Sequence, residues 1–100
     1  MLSAASVPAH HKNVTSTIAD DEAVLILPTK GRVQVLNEVG TRVWQLIDAE
    51  RSIGDIVAVV CQEFLVERDH VLRDTLAFLG ELLAKGLIEV PDAGNEAVAT

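Results

Sequence analysis

His70 and Asp74 lie four residues apart, a spacing that puts an imidazole and a carboxylate on one helical face and would suit a metal pair or an acid and a base. No third ligand accompanies them, so the pair reads as a surface contact. His10 and His11 are adjacent, which on any regular element points them apart, and nothing near them completes a ligand set. Cys61, the only cysteine, excludes an internal disulfide and reads as a small core residue on a helix face. The chain has no HExxH, no glycine-rich phosphate loop and no nucleophile with a base placed by motif. Neither catalysis, nor a cofactor, nor a resident metal is expected, and the function is sought in binding.

The elements that would position a binding surface centre on Gly31 to Asp48, GRVQVLNEVGTRVWQLID. Arg32, Val33, Gln34 and Val35 alternate polar and apolar, the period of a strand with one face buried. Asn37 then stands where a helix N-cap would, and Val39, Val43, Leu46 and Ile47 recur at helical spacing. So short a passage from strand to helix fixes their angle and leaves the strand's far edge either paired or open. An open edge is a site for an added peptide strand.

One hundred residues make one domain, and 49% hydrophobic residues make it a packed globule rather than a disordered chain. Only Trp44, Phe64 and Phe78 are aromatic, so the core is expected to be aliphatic. A net charge of −7 opposes any polyphosphate partner, which counts against nucleic acid. Lys30, Arg32 and Arg42 nonetheless make the central stretch locally basic, either as a solvated strand face or as an attraction for an acidic segment. No apolar run has the length of a membrane span and no signal peptide leads the chain, so a cytoplasmic location is taken by default, with no membrane partner.

Residues 1–13 read as a flexible N-terminal tail and residues 91–100 as a frayed C-terminal one, leaving 14–90 as the folded domain. Val14–Ile18 reads as a first strand. Ala23–Leu27, apolar on both faces, reads as a central strand covered on both sides, and Pro28 ends it. Thr29, Lys30 and Gly31 form a short hairpin loop, which leaves Arg32–Leu36 as a third strand at the edge. Helix one spans about Glu38–Asp48, with Gly40 on its apolar side marking a close approach and Trp44 on the flank as a lid. Ser52 and Asp55 read as a capping box for a second helix; Asp69 caps a third, which ends at Gly86.

That third helix carries more apolar surface than a core requires. At about 100° per residue, Val71, Thr75, Phe78 and Leu82 form one row, and Leu72, Leu76, Leu79 and Leu83 a second beside it. The first row faces the core. The second either packs on another helix or a dimer mate, or is exposed as an interaction surface.

Leu36, Asn37, Gly40, Val43 and Trp44, then Arg51, Ser52, Ile53, Asp55, Ile56 and Val57, then Val71, Asp74, Thr75, Phe78, Leu79, Leu82, Gly86, Leu87 and Ile88 fall in an order and spacing that resemble the PqqD family. These are small proteins that recognise leader peptides in the pathways of ribosomally made, modified peptides. The resemblance covers about residues 14 to 90. It implies an α+β, winged-helix-like fold in which a three-stranded antiparallel sheet is followed by a three-helix bundle. It also implies a non-catalytic adaptor: a precursor's leader adds as an antiparallel strand to Arg32, Val33, Gln34, Val35 and Leu36, against a wall of Leu72, Leu76, Leu79 and Leu83 with Arg73 at the rim. The implied partners are that leader and a maturation enzyme such as a radical SAM protein or a peptidase, and a homodimer through the spare row is a further expectation. The hairpin Pro28-Thr29-Lys30-Gly31 and the run Ile47-Asp48-Ala49 depart from members serving pyrroloquinoline quinone synthesis, and the LN-x-x-G-x-x-V-W run looks more like the stand-alone proteins of lasso-peptide clusters. The alternative is a winged-helix DNA-binding protein, but no Lys or Arg lies between Ser52 and Leu65, and the third helix offers only Arg73 and Lys85.

Overall fold

A computed structural model describes residues 2–91. The strands β2 (Thr15–Ala19), β3 (Glu22–Leu27) and β4 (Arg32–Val35) form an antiparallel sheet in the order β2-β3-β4, and the helices α1 (Glu38–Leu46), α2 (Ile53–Phe64) and α3 (Arg68–Ala84) follow. A two-residue strand β1 (Ala9–His10) pairs with another, β5 (Ile88–Glu89), as a separate ribbon. This is the α+β arrangement of three strands followed by three helices.

Local chemistry places the joints. A single turn of 3-10 helix at Pro28–Lys30 hands over at Gly31, whose φ of +61° is reached without strain because glycine has no Cβ. The Asn37 side chain accepts the Gly40 N–H at 2.8 Å and starts α1. Ser52 and Asp55 make both bonds of the capping box at α2. Asp69 does not cap α3: Glu67 takes that position without a side-chain bond, and Asp69 lies in the first turn. Gly86, at φ +77°, closes α3, with the Leu87 N–H on the Leu82 carbonyl.

The core is aliphatic apart from Trp44, and gathers Leu25 and Leu27 of β3, Val43 of α1, Ile56 and Val60 of α2, Leu79 and Leu82 of α3, and Leu87 and Ile88 beyond it. The central strand β3 is covered on one face only, by Ala23, Leu25 and Leu27, while Ile26 points to solvent. Its second apolar face belongs to an open sheet surface shared with Val33 and Val35, not to a second packed layer.

The segment read as a flexible N-terminal tail is docked. The carbonyls of Ser6 and Ala4 accept the first N–H groups of α2, Ile53 and Gly54, each at 2.8 Å, which satisfies donors that a helix start leaves orphaned. A Cβ on Gly54 would lie 3.2 Å from the Ala4 oxygen, so glycine there lets the segment approach. His10 stacks on Trp44 at 3.7 Å between ring centroids and donates Nε2–H to the Trp44 carbonyl at 2.9 Å. Trp44 is therefore buried beneath His10, deeper than a lid on the flank. The C-terminal tail expected over 91–100 falls, beyond Pro91, outside the described residues.

Candidate functional site

The margin of β4 is open among the described residues, since β3 pairs with its other side. Its hydrogen-bonding phase follows from one bond. Leu36 N–H donates to the Ala23 carbonyl at 2.8 Å, which makes Leu36 and Ala23 a hydrogen-bonded pair. Such pairs alternate along an antiparallel ladder, so Gln34 with Leu25 and Arg32 with Leu27 are bonded too. Val33 and Val35 then turn their own N–H and C=O groups away from β3, onto the free margin. A strand laid there would be offered two donors and two acceptors.

Side chains take the opposite sorting to the one the alternation suggested. Val33 and Val35 are 66% and 58% exposed on the outer face, whereas Arg32 and Gln34 share the parity of Leu25 and Leu27 and lie on the helix side of the sheet. Leu36, almost fully buried, fixes that phase: it has the parity of Gln34 and plugs the core. A period of two says that faces alternate, and the residue with the deepest anchor decides which is inside.

The corner from β4 into α1 is tied by Thr41, which the sequence reading passed over. Its buried hydroxyl accepts the Ala23 N–H at 2.8 Å and donates to the Leu36 carbonyl at 3.4 Å, standing in for the last rung of the ladder. The available signal was a hydroxyl at a position of α1 that the apolar spacing turns inward. Gly40 sits beside it, and a Cβ there would meet Asn37 Oδ1 at 3.2 Å and Phe78 Cζ at 3.4 Å. The close approach marked by this glycine is thus that of a cap and a ring rather than of a second backbone.

Beyond the corner lies a pocket of about 310 Å³, lined by Asn37, Val39, Gly40, Val43, Asp74, Thr75 and Phe78. Farther along, Lys85 Nζ donates to Gln34 Oε1 at 2.8 Å. The flank of α3 turned to β4 is therefore the one bearing Asp74, Phe78 and Lys85, which lie within about 40° of one another around the helix at 100° per residue. The leucine wall is corrected accordingly. Leu79 is fully buried in the core, while Val71, Thr75 and Leu82 fill the rest of the buried face. Leu72, Leu76, Leu83 and Arg73 lie about 120–160° around the helix from Phe78. Phe78, assigned to the core row, is only half-buried and walls the groove.

Other titratable groups are held in ion pairs and hydrogen bonds. Arg42 holds Glu63 through two bonds of 2.7 and 2.8 Å, which keeps the Glu63 carboxyl below its usual range and raises the guanidinium. The Asp48 carboxyl is lowered by the Arg51 and Glu50 N–H groups that it accepts. His70 and Asp74 touch at 3.2 Å with two-thirds of each side chain in solvent. Among the described residues no three His, Cys, Asp or Glu side chains converge as metal ligands would, and no helix is long and apolar enough to cross a membrane.

Three comparisons bear on this geometry. The profile of the family Coenzyme PQQ synthesis protein D (PqqD) matches residues 22–88. The chain is 28% identical over 87 residues to the PqqA binding protein of Bradyrhizobium diazoefficiens, covering 87% of this chain and 84% of the relative. It is 29% identical over 65 residues to the PqqA binding protein of Gluconobacter oxydans, covering 65% and 68%. Among solved structures it is similar to TbiB1 in complex with the TbiA(beta) leader peptide, with a TM-score of 0.76 and 36% identity over 81% of this chain and 94% of that one.

Proposed function

The chain belongs to the PqqD family, and on that premise we propose that it is a non-catalytic cytoplasmic adaptor that binds the leader of a ribosomally made precursor peptide and presents it to a maturation enzyme, such as a radical SAM protein or a peptidase. The leader adds antiparallel to β4, along the margin to which Val33 and Val35 turn their amides. Main-chain bonds give register and much of the affinity, and alternate side chains give selectivity. The relatives' binding of PqqA and of a leader peptide supports this reading.

One observation carries it: the open margin of β4, with its two outward-facing amide pairs, leads into a pocket that the start of α1 and Phe78 of α3 line, so an added strand gains backbone partners and, beyond them, an apolar seat. Arg32, Val33, Gln34, Val35 and Leu36 keep their proposed role; on α3 it passes from Leu72, Arg73, Leu76, Leu79 and Leu83 to Asp74, Phe78 and Lys85. The DNA-binding alternative gains nothing from the fold, because α2 bears no cation and Lys85 is engaged by Gln34.

Titration with the TbiA(beta) leader and with the leader of a precursor encoded near this chain's gene tests the proposal. Binding that Val35→Pro weakens at least about tenfold, with far-UV circular dichroism unchanged, is the expected result. Equal affinity for the variant and the parent overturns it.

A further inference from the structure

The groove is charged in opposite senses at its two ends. Lys30, Arg32 and Lys85 lie near the start of β4, whereas Asp74 lines the pocket beyond its end. Glu81 stands one turn before Lys85 on the same flank of α3, which leaves three cations against one carboxylate at the first end. At the other end His70 is the nearby partner of Asp74, and the pair is two-thirds exposed, so the carboxylate stays open to a guest.

Strand geometry converts this polarity into a sequence pattern. In an antiparallel pair, residues directly opposite each other share a face. Guest residues opposite Val33 and Val35 therefore lie on the outer face, while those opposite Leu36, Gln34 and Arg32 lie on the helix side and enter the groove. The first of these three meets the pocket beside Phe78 and Gly40, and the second meets the Gln34 amide and the Lys85 ammonium. The third meets Arg32, with Lys30 next to it.

Resting on the strand-addition reading, we infer that the groove selects a segment with a basic residue first, an apolar residue two positions on, a hydrogen-bond acceptor two positions after that, and an acidic residue two further. The acid lies over Arg32 and Lys85 and the base over Asp74. The occupant is an unmodified peptide strand whose charges run from positive to negative, N- to C-terminal. A strand of the reverse order sets like charges against each other at both ends.

The test uses the full chain, 15N-labelled, and two synthetic peptides flanked by Gly-Ser: Lys-Ser-Leu-Val-Gln-Val-Glu and its swapped counterpart Glu-Ser-Leu-Val-Gln-Val-Lys. The first is expected to shift the amides of Val33 and Val35 and to bind about fivefold more tightly than the second at low salt, a gap that closes in 1 M salt. Arg32→Glu combined with Lys85→Glu should reverse the preference. Equal affinities, with both peptides shifting the two valine amides, overturn the charge order and leave the groove standing. The absence of shifts at those amides with either peptide overturns the strand-addition reading, and the charge order with it.

Discussion

The sheet has two margins with the same backbone chemistry and different neighbours. On β4 the outward groups belong to Val33 and Val35. On β2 the same alternation leaves those of Ser16 and Ile18 outward, because β3 turns Val24 and Ile26 towards Thr17 and Thr15. Beyond the end of β4 stands the pocket lined by the start of α1 and by Phe78 of α3; beside Ile18 stands a smaller cavity of about 180 Å³ that the Arg42–Glu63 ion pair lines. β2 is exposed throughout its length and runs into a two-residue hairpin turn, Asp20 and Asp21, both at positive φ, that folds the chain back into β3. An unpaired edge invites any strand, but only an edge with an apolar wall rewards one side chain in two of its guest.

The largest expected effect breaks the comparison at the backbone. Val35→Pro removes an outward donor on one margin and Ser16→Pro its counterpart on the other. Leader affinity should fall at least about tenfold for the first and less than about twofold for the second, as read by calorimetric titration. A similar loss from both would make the sheet as a whole, not one margin, the determinant. The walls come next: Phe78→Asp should weaken leader binding about tenfold, while Leu76→Asp, about 160° away around α3, should leave it within about twofold. The reverse result would restore the leucine row as the wall.

Stability supplies smaller changes. Thr41→Val keeps the shape of the side chain but orphans the Ala23 N–H, and should cost about 1–3 kcal/mol in denaturant unfolding. Because that hydroxyl closes the β4 end of the ladder, binding at β4 should suffer with it. The smallest effect concerns the ion pair under β2. The folded Glu63 carboxyl is held below its ordinary range, so the stabilisation is fully present above that range and is lost as the pH falls through the lowered value. Glu63→Gln should therefore flatten the acid limb of a melting-temperature profile slightly and leave leader binding unchanged.

Three joints of this fold were legible because each is a local contact between a side chain and a nearby backbone group, whereas the start of α3, where Glu67 makes no side-chain bond, was not. Asn37, the Ser52–Asp55 box and Gly31 all act within three residues of themselves. Docking of residues 2–13 was not, since the acceptors at Ala4 and Ser6 are main-chain carbonyls that every sequence carries. The phase of β4 was hidden for another reason. Alternation marks two faces alike, and Leu36, the residue that breaks the tie, was read only as the strand's end. On α3 an apolar arc of about 160° holds more candidates than the core can take, so Leu79 and Phe78 exchanged places: the sheet margin, remote in sequence, decided which flank would close and which would stay ajar.

The parity fixed by Leu36 also restricts how a bound strand can shift. Sliding by one position would carry its greasy anchor from the Phe78 seat to the solvent side beside Val33 and Val35, whereas sliding by two returns an equivalent residue to the same place. Tolerance to insertions upstream of a processing point should therefore come in even steps, and a precursor with repeated alternation would be held in more than one frame.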